Sequence, residues 1–486
     1  MTTNTNHRPI NDISIKSIRD QYFVASDFRV SVTDYITSLI DSIAVKDSDT
    51  NSVIRVCKIR ALEQSKLLDG LNELDKNNLP LFGVPYFVKD NILVKRLEVT
   101  AQSKILNGYI ASYSADVVVR LEKLGAVLIG QTNMDEFAFG SSTEQSGYGN
   151  ITRNPANLDK VSGGTSGGSA VSVALGLVPF ALGTDTGGSV RQPASFTGVY
   201  SMRPTYGTIS RFGVIASASS FDQVGVLSAN LEDLETVVKI LEIKSTNDQT
   251  SIATLNEEKI SEVINVVVCN EFLEGLDANV KNKFDNVINI LASNPRYNVN
   301  YVSLQLTKYV LPVYYILQTV EASSNLERFD QVRYGKQIGL DPQLPMLSKD
   351  MYFGARSTLI GDEAIRRIML GTYTSSAGYY DAYYNQACKI RSMIKNEYIN
   401  LFKTGDVLIM PASPFTAFDI GGKISDPISM YTADIMTVSQ PISKLPAVVI
   451  PLKVETGEMP IGLQIVGSEY KDLSLLEICN TIEATL

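Results

Sequence analysis

The chain has 486 residues, a net charge of −9 and one histidine, His7. A single imidazole, in a polar N-terminal segment, leaves no histidine-ligated metal site and no base for a Ser-His-Asp triad. The acidic balance, without a basic stripe, argues against a nucleic-acid surface of the chain's own.

Hydrophobic residues at 44% and charged residues at 20% fit a globular protein with a large core. No apolar run reaches the roughly 18 residues of a membrane span. The start, MTTNTNHRPINDISIKSIRD, has no apolar core of a secretory signal and few arginines, so no leader is expected. Cys57, Cys269, Cys388 and Cys479 form no CxxC pair, and buried, inert thiols are expected.

Apolar residues recur at helical spacing through residues 12–75, which predicts an amphipathic helical segment. LPLFGVPYFVKDNILV at 79–94 is an apolar, strand-forming run broken by Gly83 and Pro85. SADVVVRLEKL at 114–124 reads as a helix capped by Ser114, and AVLIGQTNM as the buried strand that follows. Two Gly/Ser/Thr-rich turns come next, GGTSGGSA at 163–170 and GTDTGGSVRQP at 183–193. The run SAVSVALGLV predicts a tightly packed helix between them, and PFALGTD a short strand. Residues from about 255 to 400 look mostly helical, a cap on the core, before DVLIMPASPF, AVVIPLKV and GEMPIGLQIVG return to strand character. The alternation of helices and apolar strands predicts an α/β architecture with a largely covered sheet. Its divisions are 1–75 (N-terminal helices), 76–250 (core with the chemistry), 251–400 (helical cap) and 401–486 (return to the core).

The second turn offers Ser189 as a nucleophile, with the backbone N–H groups of Thr186, Gly187, Gly188 and Ser189 as candidate oxyanion donors. Without histidine, the base must be another group. A buried neutral lysine can serve, because desolvation lowers its pKa. Lys89 closes the apolar run YFVK and is the candidate, although a strand-end lysine more often reaches solvent. The first turn can set a second hydroxyl, Thr165 or Ser166, between lysine and serine. A phosphate-binding P-loop does not fit, because GGTSGGSA has no terminal lysine.

GVPYFVKDNI at 83–92, GQTNMDEFAFGSSTEQS at 130–146, GGTSGGSA, and GTDTGGSVRQPASFTGVYSMRPTYG at 183–207 together resemble the amidase-signature family. The resemblance covers almost the whole chain. It implies the amidase-signature fold, α/β with a large mixed central sheet covered by helices on both faces and a helical cap insertion, and a Ser–hydroxyl–Lys triad of Ser189, Thr165 and Lys89. The family has serine at the relay position, 24 residues before the nucleophile, beside a non-proline cis peptide. Thr165 stands there in this chain, with Ser166 or a bridging water as alternatives. EASSNLERFDQVRYG, RRIMLGTYTSSAGYYDAYY and DPISMYTADIMTVSQPISKLPAVVIP are similar to the branch that supplies glutaminase subunits to tRNA-dependent amidotransferases. That likeness implies glutamine as substrate, gripped by Tyr314, Arg367 and Asp434. It implies no cofactor or metal in this chain. Ammonia would pass to a B subunit, where ATP and Mg²⁺ support conversion of Glu-tRNA(Gln) to Gln-tRNA(Gln). A small third subunit would bridge the two, tRNA would be held mainly by the partner, and the complex would be cytoplasmic or organellar. The alternatives are an inactive scaffold subunit or a free-standing small-molecule amidase.

Overall fold

Short Val/Ile-rich runs bounded by Gly, Pro or Asn become strands here, and those at the centre of the sheet are buried on both faces. The computed structural model describes residues 13–23, 30–253, 260–335, 348–423 and 427–486; His7 lies outside them. The strands are β1 (Val53–Val56), β2 (Pro85–Lys89), β3 (Val127–Thr132), β4 (Arg153–Asn154), β5 (Asn157–Val161), β6 (Phe180–Asp185), β7 (Tyr200–Arg203), β8 (Gln223–Ser228), β9 (Ile264–Cys269), β10 (Tyr297–Val302), β11 (Val407–Pro411), β12 (Ala447–Pro451) and β13 (Gly462–Val466). Among the described residues, eleven form one mixed sheet in the order β1-β3-β2-β6-β8-β7-β12-β13-β11-β9-β10, and β4 pairs only with β5. The sheet is the expected large mixed one.

The neighbours β3, β2 and β6 run parallel, and β6 then pairs antiparallel with β8. Side chains alternate across β2. Tyr86 and Val88 join the core that contains Leu121, Leu234 and Leu475, whereas Phe87 joins the core that contains Ala170 and Val173 of the helix Gly167–Ala174. The same alternation puts Lys89 on the face of Phe87, under the start of that helix. Period-2 geometry thus aims the lysine at the first Gly-rich turn.

The segment 12–75 is not wholly helical. Val53–Val56 forms β1, antiparallel to β3 at one sheet edge. Four residues interrupted by Arg55 are too short a run to stand out from the helical periodicity around them. Nor is the cap wholly helical, because β9 and β10 extend the sheet beside β11. The helix expected at 114–124 spans Asp116–Lys123, with Ala115 at its N-cap and no side-chain cap. Ser114 Oγ accepts the N–H of Lys95 at 2.9 Å instead. The helix after the first turn begins at Gly167, before the apolar run. The cap helices Thr307–Leu326, Asp362–Ser375 and Tyr384–Leu401 pack around the first of them. No helix of the described residues is long and apolar enough to cross a membrane.

Candidate active site

Lys89 ends β2 and the turn carrying Ser189 follows β6, so both leave the carboxyl ends of adjacent parallel strands. Open α/β sheets place their ligands at such ends. Thr165 and Ser166 lie at the start of the helix Gly167–Ala174, above the same strands. The turns are tied together: Ser166 N–H donates to Ser189 O at 3.1 Å, and Gly164 N–H to Gln192 Oε1 at 2.6 Å. Glycine is required at Gly188, where φ is 127° and a Cβ would lie 2.2 Å from Thr437 Oγ1.

Lys89 does not reach solvent; it is fully buried. Its Nζ lies 2.7 Å from Thr165 Oγ1, 2.9 Å from Ser166 Oγ and 3.1 Å from Thr184 Oγ1. Burial lowers its pKa to about 7, opposed by the carboxylates of Asp135, Asp185 and Asp222. A substantial fraction of Lys89 is therefore neutral near pH 7, with two N–H donors and one lone pair. The hydroxyl of Ser166 donates to Thr184 O at 3.1 Å, and a carbonyl can only accept. Ser166 must therefore accept from the lysine. Thr184 Oγ1 also receives Asn91 Nδ2 at 3.0 Å. Of the two relay candidates, Thr165 is the one left to donate to the lone pair. Lys89 and Thr165 are brought together, but no hydrogen bond among the described residues joins Thr165 Oγ1 to Ser189 Oγ. The cis linkage implied by the family resemblance is not present: no described peptide bond is cis.

The oxyanion donors need one correction. Gly188 N–H already donates to Asp185 Oδ1 at 3.0 Å, because the carboxylate folds back under its own turn. The N–H groups of Thr186, Gly187 and Ser189 have no such acceptor among the described residues. Asp185 is fully buried between Arg191 (2.9 Å) and Arg203 (3.1 Å). Burial alone would raise its pKa; the two guanidiniums hold it well below the carboxylate range. Arg191 reaches on to Gln440, Gln464 and the carbonyl of Thr437, which anchors the nucleophile turn to the C-terminal part of the core. The motif GTDTGGSVRQP contains both Asp185 and Arg191, but their pairing with Arg203 across the sheet is a tertiary feature.

Tyr314, Arg367 and Asp434 converge in front of Ser189. Together with Ala138, Gly187, Gln318 and Tyr315 they line a cavity of about 10 Å³, room for about one water. Each is internally engaged. Asp434 accepts from Ser141 Oγ (2.9 Å) and Tyr315 OH (2.7 Å); burial raises it to about 6, so it is largely ionised at neutral pH. Arg367 donates through Nε to Glu363 Oε1 (2.7 Å) and through Nη1 to Gln318 Oε1 (3.0 Å), and its guanidinium lies 4.7 Å from the rings of Tyr315 and Tyr431. Its Nη2 has no acceptor among the described residues. The Tyr314 ring covers Gly187, where a Cβ would lie 2.4 Å from its hydroxyl oxygen. Ser141, Tyr315, Gln318 and Glu363 escaped the sequence reading. Only Glu363 left a signal there, the i,i+4 spacing to Arg367. Among the described residues, no group of three or more His, Cys, Asp or Glu side chains could hold a metal ion.

A buried lysine, a neighbouring hydroxyl and a serine on a glycine turn sit together at one end of the sheet, and the chain belongs to the amidase family, which residues 34–476 match. It is 40% identical over 478 residues to the A subunit of glutamyl-tRNA(Gln) amidotransferase from Staphylococcus aureus (strain JH9), covering 97% of each chain. The crystal structure of the corresponding A subunit of glutamyl-tRNA(Gln) amidotransferase from Thermotoga maritima matches with a TM-score of 0.77 at 32% identity, covering 98% of this chain and 95% of that one. Kluyveromyces lactis allophanate hydrolase shares the fold, with a TM-score of 0.78 at 23% identity, over 97% of this chain and 72% of that one.

Proposed function

We propose that this chain is the glutamine-hydrolysing subunit of a tRNA-dependent amidotransferase. The observation that carries the reading is the buried Lys89–Thr165 pair beside Ser189, facing a wall that holds Arg367 and Asp434. A free amino acid presents a carboxylate and an ammonium, which Arg367 Nη2 and Asp434 complement. Tyr314 closes the pocket over Gly187.

Neutral Lys89 takes the proton of Thr165, and Thr165 takes that of Ser189 once substrate brings the two hydroxyls together. Ser189 Oγ bonds to the side-chain amide carbon of glutamine. The N–H groups of Thr186, Gly187 and Ser189 are the donors available to the oxyanion. The C–N bond breaks, the relay returns a proton to nitrogen, and ammonia leaves. Water, deprotonated along the same path, then releases glutamate from the Ser189 ester. Ammonia passes to a B subunit that uses ATP and Mg²⁺ to amidate Glu-tRNA(Gln), with a small third subunit linking the two and tRNA held by the partner. The complex acts in the cytoplasm or an organelle.

The absent Thr165–Ser189 hydrogen bond favours a second reading, a scaffold subunit without glutaminase activity. Co-expression with candidate B and bridging subunits separates the two. Glutamine-dependent amidation of misacylated tRNA is expected, and Ser189→Ala removes it by at least about 10⁴-fold while ammonia-dependent amidation persists. Glutamine use unaffected by Ser189→Ala overturns the nucleophile assignment. High, partner-independent turnover of simple aliphatic amides overturns the amidotransferase reading in favour of a free-standing amidase.

A further inference from the structure

Tyr314 packs edge-on against Phe221, and the guanidinium of Arg391 lies 4.4 Å from the centre of the Phe221 ring. Beyond that contact, away from the reacting groups, four cations gather: Arg211, Arg391, Lys395 and Lys444. The ring of Tyr206 takes two of them, with Arg211 Cζ 4.7 Å and Lys444 Nζ 4.6 Å from its centroid. Of the neighbouring carboxylates, Glu469 is spent on Lys395 at 2.8 Å and Glu321 on Ser220 N–H and Oγ. Asp248 approaches Arg211 Nε only to 4.0 Å, and that buried Nε has no hydrogen-bond partner. Arg391 donates to neutral groups alone, the Ser220 hydroxyl and the carbonyls of Ser220 and Ile442. Among the described residues, Lys444 Nζ has no hydrogen-bond acceptor and no carboxylate within 4.0 Å.

Lys444 follows the helix Ser439–Ser443 with φ 66°, a left-handed helix stop that it shares in sign of φ with nine other described non-glycine residues. Burial, and then the positive charges of Lys395, Arg391 and Arg211, lower the proton affinity of Lys444, as expected where cations are not matched by anions.

We propose that Lys444, Arg211 and Arg391 form an oxyanion site at the edge of Tyr206 that takes a single phosphate-class dianion. Lys444 Nζ is the donor with no hydrogen-bond partner and makes the direct contact to the oxyanion, with Arg211 and Arg391 adding positive charge behind it. A compact ligand is favoured over a polynucleotide. The basic patch is confined between Asp248, Glu321 and Glu469 on a chain of net charge −9, which offers no track for successive phosphates. The site does not depend on the glutaminase reading.

The test uses the full-length chain with inorganic phosphate as probe and sodium chloride at matched ionic strength as reference. Phosphate in the millimolar range should raise the melting temperature of the wild type above the chloride reference. It should also slow acylation of Lys444 by an amine-reactive ester severalfold, as read by peptide mass spectrometry. Lys444→Gly, which suits φ 66°, should fold and lose the phosphate-specific shift. Equal responses to phosphate and chloride, or an undiminished shift in Lys444→Gly, overturn the site. Protection of Lys444 by tRNA but not by phosphate overturns the compact ligand in favour of a polynucleotide contact.

Discussion

The two walls of the active site are built in different ways. The proposed chemical wall stands on the core sheet: Lys89 ends a central strand, Thr165 precedes a helix, Ser189 sits on a glycine turn, and Lys89 and Thr165 are fully buried. The recognition wall is long-range. Tyr314 and Arg367 come from separate cap helices and Asp434 from the C-terminal part of the core, and Arg367 and Asp434 are already bonded to protein groups. On the proposed function, the Lys89–Thr165 half of the relay is pre-arranged and the Thr165–Ser189 half closes only with substrate, whereas substrate binding exchanges internal partners for ligand. Changes on the chemical wall should therefore act on kcat, and changes on the recognition wall on KM.

Thr165→Ala tests the first half most severely. Loss of a proton-transfer hydroxyl should lower glutaminase kcat by about 10²–10⁴-fold, with Thr165→Ser close to wild type. Ser166→Ala should cost less, because Ser166 only accepts from the lysine. A larger loss in Ser166→Ala than in Thr165→Ala would reverse the relay assignment.

The pH dependence comes next. Lys89 must be neutral to act, so kcat/KM should fall about tenfold per unit as pH drops below about 7. The sign for stability follows from the same shift. Lys89 binds its proton less tightly folded, at about 7, than unfolded, at 10.5, so its contribution to stability grows as pH rises across that window. Glu136, also raised to about 7 by burial, accepts from Ser103 and Gly361 outside the relay, so Glu136→Gln should leave the acid limb of the rate profile in place.

On the recognition wall, Arg367→Lys should raise KM for glutamine by about 10–100-fold with a smaller change in kcat, because a planar donor to a carboxylate is lost. Glu363→Gln should be milder, about three- to tenfold in KM, because it loosens the orientation of Arg367 and leaves its charge. Equal loss in kcat from either variant would erase the distinction between the walls. Steady-state glutaminase kinetics read all of these.

Legibility followed the same division. Lys89, Thr165 and Ser189 lie in contiguous motifs whose residue types are dictated by local needs: small residues where backbone must approach, and a lysine at the end of an apolar strand. That Asp185 takes the Gly188 N–H out of the candidate donor set was not legible, because the return of Asp185 depends on its pairing with Arg191 and Arg203. β1 escaped notice as a four-residue edge strand with an arginine in it, and β9 and β10 because they lie inside a segment dominated by helical periodicity. The helix start at Gly167 was obscured because two glycines are poor helix formers, and packing overrides that preference here.

By itself, the sequence narrowed the chemistry to be proposed: one histidine removes the usual base, and a strand-end lysine with two hydroxyl-bearing glycine turns offers another. It also determined the α/β architecture, through the alternation of helical and strand-forming runs. Only the tertiary structure favours Thr165 over Ser166 as the proposed relay, because Ser166 already donates to a carbonyl, Thr184 O. Only the tertiary structure decided that Lys89 is buried, and that Arg367, Glu363 and Asp434 share a pocket, because residues far apart in the chain meet there only after the cap has packed against the sheet.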